Sequence, residues 1–444
     1  MILRNISKFI APALLVLGFA ACNIETIEDP NNPSVGAITS NASLSEIQNL
    51  VTGIEGGMRL NLGFYFDGVG AIGREIYRFS TSDPRFTSDL LGKGSATLDN
   101  NTFYTTNPYA ARYRTVKNAN ILLEAVENST AITTNEARSA AKGFANTIKA
   151  HELLLVWVQQ YDNGIRIDVS DPDNLGPFVG EGDHKAALRA IASLLDDGFA
   201  QLNSGGTAFP FSLSSGFAGF DTPASFAKVN RALLARVQAY NENWDNALQA
   251  LAGSFLDLNG DLGLGVYHPY STGGGDALNP QWFPLNATGE SRVVQPSFVT
   301  DAEAGDTRLS KATKRADTEF QDGLQSDYDL TVYATNATSI PIIRNEELIL
   351  LFAEANIQKG DATSLNNAVG ALNIIRTAAG LGNYSGGTTQ AELITEMLKQ
   401  RRYSLFGEGH RWVDMRRYNL LGTLPIDRAG DDVWVKFPRP QNED

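Results

Sequence analysis

Gly68-Val-Gly70-Ala-Ile-Gly73 has the G-x-G-x-x-G spacing with which a strand-to-helix turn cradles a pyrophosphate. That chemistry needs a β-strand before the first glycine and a long helix after the last. Neither flank supplies one before Ser80-Thr-Ser-Asp-Pro84, so the segment reads as a glycine-rich loop. His151, His184, His268 and His410 are scattered without H-x-x-x-H spacing, which argues against a zinc site. There is no G-x-S-x-G elbow, no cofactor is expected and no residue is assigned to a metal; the acidic loops leave Ca²⁺ open, with no EF-hand spacing to argue for it. Carboxylates are plentiful, and Glu396, Glu408 and Asp414 lie near Arg401, Arg402, Arg411, Arg416 and Arg417. An acid/base pair for glycoside hydrolysis needs one carboxyl protonated. Neighbouring guanidiniums keep carboxylates ionised and pair with them bidentately, so this cluster reads as a scaffold network. Glu408-Gly409 supplies a helix stop, the glycine being free to take a positive φ.

The aromatic residues offer a different chemistry, recognition without reaction. Sugars present apolar C–H faces ringed by hydroxyls, and they pack on flat aromatic platforms flanked by polar side chains. Two stretches have that mixture. One holds Tyr65, Phe66, Asp67, Tyr77, Arg78, Phe79, Asp83, Arg85 and Phe86. The other holds Tyr267, His268, Tyr270, Asp276, Asn279, Trp282, Phe283 and Asn286, with Tyr328 later. Tyr77, Tyr267, Tyr270 and Trp282 are the expected platforms, with Asp83, Arg85 and Asn279 as polar contacts. Trp157, Trp244 and Trp412 sit in helical patterns or beside the arginines and are assigned to packing.

Those stretches must be positioned by helices. Ser43 is a plausible N-cap for a helix running to about Leu60. Residues 61–107 read as irregular. Helical patterns return at 108–127, 136–161, 184–203 and 225–251, and again at 344–358, 363–379 and 390–406. Between them, 254–339 is rich in Gly, Pro and Asn with short β-like runs. Runs such as Phe144, Ile148, Leu155 and Ala232, Ala235, Ala239 have the spacing of a buried helical face. Paired helices with small residues at their contacts resemble tetratricopeptide-type hairpins, which stack to bury a continuous core. The expected fold is mainly α: about four helical hairpins with long loop-rich insertions and short β elements, in a single domain over 41–444.

The N-terminus has its own logic. Arg4 and Lys8 precede an apolar run from Phe9 to Phe19, then Ala20-Ala21-Cys22, the pattern of a secretory signal peptide over 1–21. The run is too short to span the ~30 Å hydrocarbon core as a helix. Cys22, the only cysteine, follows the small residues as in the lipobox of bacterial lipoproteins, with Phe19 where that motif prefers Leu. The resemblance implies cleavage before Cys22 and lipidation there; several acyl chains make a stable anchor. Residues 22–40 then read as a flexible tether carrying Glu25, Glu28 and Asp29, which look like a surface-export signal of Bacteroidetes-type lipoproteins. A net charge of −14 argues against nucleic acid and against electrostatic docking on anionic lipid.

The C-terminal third carries the most specific signature. Ile340-Pro-Ile-Ile-Arg-Asn-Glu-Glu-Leu-Ile-Leu-Leu-Phe-Ala-Glu-Ala355 is followed by Leu372-Asn-Ile-Ile-Arg376. Then come Gln400-Arg-Arg-Tyr-Ser-Leu-Phe-Gly-Glu-Gly-His-Arg-Trp-Val-Asp-Met-Arg-Arg417 and Phe437-Pro-Arg-Pro-Gln-Asn-Glu443. This series resembles the SusD/RagB family of outer-membrane nutrient-binding lipoproteins. Gln400, where that family usually has Glu, and Tyr403-Ser404, where a Glu-Leu is common, depart from its pattern. The resemblance implies a non-enzymatic, surface-exposed lipoprotein of the outer membrane that captures a nutrient, most naturally an oligosaccharide. It would pass that ligand to a SusC-like TonB-dependent barrel, closing over it as a lid. It also implies that the ligand site is built from the two aromatic stretches, about 61–107 and 254–339. Two other readings remain at this point, a secreted α-helical glycoside hydrolase and a tetratricopeptide-type adaptor for a protein partner.

Overall fold

The computed structural model describes residues 35–171 and 173–443; the expected signal peptide over 1–21 and Cys22 lie outside the described residues. The chain enters through α1 (Val35–Asn41) and α2 (Leu44–Arg59). Ser43 caps α2 in a capping box, its backbone N–H donating to Glu46 at 2.8 Å while its hydroxyl accepts from the Glu46 N–H. Ile47, Val51, Ile54 and Met58 form the buried stripe of α2. Residues 35–40, expected as the end of the tether, are instead helical and packed on the body, where Asn128 donates to the Thr39 carbonyl at 2.9 Å.

The expected irregularity of 61–107 holds only in part. α3 (Leu62–Ile72) is a helix buried on nearly all sides, followed by strand β1 (Ile76–Ser80). The glycine motif therefore lies in and just after a helix, not in a loop. Its glycines permit close packing. A Cβ on Gly68 would stand 3.0 Å from Phe437, and one on Gly70 3.1 Å from Ile76.

The helical body continues with α4 (Phe103–Asn128) and α5 (Asn135–Gln160), then a short hairpin, β2 (Asn163–Arg166) and β3 (Phe178–Glu181). Next come α6 (His184–Asn203), α7 (Pro223–Tyr240) and α8 (Trp244–Ala252). The expected continuous helix 225–251 is two helices, because Asn241-Glu242-Asn243 turns the chain with Glu242 in the left-handed region at φ 57°. The insertion after α8 holds β4 (Gly265–His268), β5 (Glu290–Val294), the single turn α9 (Ser297–Thr300), β6 (Ala312–Gln321) and β7 (Leu324–Leu330). β8 (Ile340–Arg344) leads into α10 (Asn345–Lys359), α11 (Ala362–Ala378), α12 (Gln390–Ser404) and α13 (Arg411–Arg417).

Successive helices pack on one another: α4 on α5, α5 on α6, α6 on α7, α7 on α8, then α8 on α10 and α10 on α11 and α12. The fold is mainly α with tetratricopeptide-like stacking. Small residues set the closest approach: a Cβ on Gly143 of α5 would lie 2.6 Å from Leu202 and 2.8 Å from the Gly198 carbonyl of α6. Trp157 and Trp412 are fully buried and Trp244 packs against the main core, as expected. The strands form an antiparallel four-stranded sheet in the order β1-β5-β7-β6 and a β4–β8 pair.

The arginine-rich C-terminal segment is a scaffold. Arg401 Nε donates to Asp414 at 2.7 Å, Arg417 reaches Asp414 at 2.8 Å and Glu354 of α10 at 2.7 Å, and Arg344 reaches Glu408 at 2.6 Å. Burial raises the Asp414 carboxyl, but Arg401 and Arg417 outweigh it and hold the group down at about 2. Glu408 departs from the expectation that the guanidiniums keep every carboxylate low, since burial outweighs Arg344 and pushes its carboxyl up. Arg416 makes no ion pair among the described residues; it donates to the Val158 and Val435 carbonyls and lies 4.2 Å from the Tyr161 ring centroid. α12 ends at Ser404, ahead of the expected stop, although Gly409 does take φ +82°. Gln400 contributes a hydrogen bond, 2.8 Å to Glu396, where a glutamate would carry charge.

Candidate functional site

Where α3 and β1 meet the insertion after α8, the two aromatic-rich stretches come together around a cleft of about 350 Å³. One wall comes from the N-terminal part of the chain, through Arg59, Phe64, Asp67, Arg78 and Phe86. The other is built by the insertion, through Tyr270, Leu278, Pro280, Phe283 and Arg292.

The floor is set by strand pairing. In the antiparallel β1–β5 ladder Arg78 sits directly opposite Arg292. Two like charges at such a position repel. Asp67 of α3 resolves the conflict: Arg292 grips both its carboxylate oxygens, Nη2 to Oδ2 at 2.7 Å, while Arg78 Nε stands 3.7 Å away. Arg78 also pairs with Glu290 and donates to the Phe79 carbonyl at 2.6 Å. Burial pushes the Arg78 guanidinium below its ordinary value. Both guanidiniums lie 4.7 Å from the Phe283 ring centroid, and Arg78 lies 5.2 Å from that of Phe86. Cation–π contacts thus fix Phe283 at the cleft.

The apolar wall is an aromatic cluster. Phe64 stacks on Phe86 at 6.5 Å and 18°, and both pack on Phe103 at 5.2 and 5.0 Å. At the far end Arg59 pairs with Asp276 at 2.7 Å, donates to the Pro269 carbonyl at 2.7 Å and lies 5.8 Å from the Tyr270 ring centroid. The Tyr270 hydroxyl is buried with no hydrogen-bond partner among the described residues, and burial raises its pKa. Leu278 is exposed at the rim.

Of the residues singled out in the sequence, Tyr270 lines this cleft. Tyr77 does not. Neighbouring strand residues point to opposite faces, so with Arg78 at the cleft Tyr77 turns into the core. It is 1 % exposed, stacks on Phe79 and donates its hydroxyl to Asp427, so it has no open face to offer as a platform. Asn279 is likewise structural. At 3 % exposure it donates Nδ2 to the Thr338 carbonyl at 2.7 Å and accepts from the Gln281 N–H at 2.7 Å. Trp282 packs partly buried against the main core, and it is the next residue, Phe283, that faces the cleft. Tyr267 lies half-buried on β4, its hydroxyl donating to the Gly263 carbonyl, and does not line the cleft. Asp83 and Arg85 pair with each other at 2.6 Å beside it, the guanidinium 4.9 Å from the Phe103 centroid.

Phe64, Arg59 and Arg292 escaped the sequence reading. Phe64 lies in a stretch without clear helical periodicity, and the role of Arg292 depends on strand register. Phe86, Phe283, Asp67 and Arg78 lay within the aromatic stretches but were not singled out.

Residues 308–441 match the sequence profile of the SusD family. No curated protein matches the chain. Among solved structures, surface glycan-binding protein A from Bacteroides thetaiotaomicron superposes with a TM-score of 0.67 at 14% identity, covering 91% of this chain and 97% of that one. The same protein in complex with laminarihexaose gives 0.65 at 15% identity, covering 90% and 97%. A SusD superfamily protein from Bacteroides vulgatus gives 0.63 at 17% identity, covering 86% and 89%. This chain is SusD-like: it carries the SusD family signature in its C-terminal third and the SusD superfamily fold over most of its length.

Proposed function

We propose that the protein is a cell-surface lipoprotein, anchored through Cys22, that captures an oligosaccharide and passes it to a SusC-like TonB-dependent outer-membrane transporter. The observation that carries the reading is the cleft, in which a phenylalanine clasped by two arginines faces an aromatic wall, with polar groups between. Such walls suit the C–H faces of a pyranose and such arginines its hydroxyls. The volume, about 350 Å³, falls in the range of small-molecule sites. A relative by fold is a surface glycan-binding protein that takes laminarihexaose.

The cleft also speaks against hydrolysis. A glycosidase needs two carboxyls facing across the scissile bond. Among the described residues Asp67 is the one carboxylate lining the cleft, and it is committed to Arg292. No described helix is long and apolar enough to cross a membrane, so attachment through lipid at Cys22 fits the chain.

Two measurements test the reading. Affinity isolation of the tagged protein from its own outer membrane recovers a TonB-dependent barrel; recovery without one contradicts the transport role. Incubation with oligosaccharides that bind leaves them intact by chromatography; release of shorter sugars restores the hydrolase reading.

A further inference from the structure

A second cavity, of about 430 Å³, lies on the other side of the start of α4. One wall is a stripe of that helix, Thr106, Tyr109, Ala110, Tyr113, Arg114 and Lys117, at the 3–4 spacing of a single face. The facing wall is Arg166, Val169 and Leu175 with Pro440, Asn442 and Glu443 of the C-terminal tail, the Glu443 carboxylate being neutralised by Arg166. The cavity is built rather than incidental. Tyr113 donates its hydroxyl to the Arg166 carbonyl at 3.1 Å and accepts from the Arg166 N–H at 2.8 Å. Arg166 in turn holds Glu443 at 2.9 Å and the Gly176 carbonyl at 2.6 Å, fixing the tail against the slot.

Three features of this slot are left unsatisfied. The rings of Tyr109 and Tyr113, with centroids 4.7 Å apart, face a largely apolar wall in which Leu175 is 41 % exposed. Tyr109 is 5 % exposed, yet its hydroxyl makes no well-formed hydrogen bond. Arg114 and Lys117 are exposed at the rim and make no ion pair or hydrogen bond among the described residues, in a chain whose net charge is −14. A flat apolar slot with two cations at its rim complements a ring with an apolar face and an anionic substituent.

We propose that this slot is a second ligand site, specific for a sugar residue bearing a carboxylate or a sulfate. The class of ligand rests on the glycan-capture reading; the geometry of the slot does not. Asn61, which lines the first cleft, donates to the Asn107 carbonyl of α4 at 3.3 Å, so the two cavities flank the same turn of helix. An acidic oligosaccharide long enough to cross that turn occupies both.

The test is calorimetric titration of the full chain with trigalacturonate, a sulfated chondroitin tetrasaccharide and neutral laminarihexaose. The parent is compared with an Arg114→Ala/Lys117→Ala double variant and with Phe283→Ala. Both rim side chains are exposed, so the double variant keeps the fold. The expected result is that an anionic oligosaccharide binds, and that the double variant weakens it by about tenfold or more while any binding of laminarihexaose is unchanged. Response to trigalacturonate alone assigns the substituent as carboxylate, and response to the chondroitin fragment alone assigns it as sulfate. Anionic binding equal in parent and double variant, or no anionic binding in the parent, overturns the proposal. A neutral glycan that binds the parent and Phe283→Ala equally counts instead against the first cleft.

Discussion

At the residue scale, Asp67 is the keystone of the cleft. It neutralises two arginines that the β1–β5 register brings face to face. Removing one partner of a buried pair leaves uncompensated charge, at a cost of about 3–5 kcal/mol. Asp67→Asn is therefore expected to lower the unfolding free energy by about that amount in urea titration, and an unchanged midpoint would show that the arginines find other partners. This scale is where the sequence was least legible. Tyr77 and Arg78 are neighbours, and only the facing of one strand decides which meets the cleft and which meets Asp427. The same one-residue ambiguity separates Trp282 from Phe283. Aromatic content marked the two stretches that meet at the cleft, but pairing register is a tertiary property that composition does not encode.

At the element scale, the long helices were readable because each repeats an apolar stripe and several begin with an explicit cap. Ser43 over α2 and the match of 184–203 to α6 are the clearest cases. α3 was missed because it is buried on nearly all sides, so it shows no amphipathic period, and its glycines mimic a loop. Those glycines instead let neighbours approach, as does Gly143 between α5 and α6. Alanine at an open helical position is favoured over glycine by about 1 kcal/mol. At Gly143 the added Cβ would meet Leu202 at 2.6 Å and backbone at 2.8 Å. Gly143→Ala is thus expected to destabilise by about 1–3 kcal/mol in thermal or urea unfolding, whereas a gain in stability would mean that the α5–α6 contact can widen freely.

At the scale of the whole molecule, stability depends on pH through groups buried across the body. Burial, helped by Arg112 and Arg59, lowers His268 from 6.5 to about 3. The unfolded chain then binds a proton over that range that the folded chain refuses. The contribution is fully present above 6.5 and is lost as pH falls toward 3. Glu75 has the opposite sign, because burial raises its carboxyl from 4.5 to about 8. Its contribution is fully present below 4.5 and is lost as pH rises toward 8. Melting temperatures are expected to fall toward both limbs, His268→Gln flattening the acid side and Glu75→Gln the alkaline side. Parallel profiles for parent and variants would rule out these two groups as the cause. The proposed anchoring acts at the same scale: Cys22→Ala is expected to shift the protein from the membrane to the soluble fraction, and retention in the membrane would contradict attachment through Cys22. The overall architecture was the most legible level, since the C-terminal motif and the helical pairing point to the same fold.

The proposed function rests on the cleft between the two aromatic stretches holding a glycan without cleaving it. Calorimetric titration of the purified protein with laminarihexaose and a panel of plant and microbial oligosaccharides, parent beside Phe283→Ala, tests it most directly. Saturable binding of at least one neutral oligosaccharide is expected, weakened about tenfold or more by loss of the ring, with no turnover. Binding of equal strength in parent and variant, or no binding to any member of the panel, would contradict it.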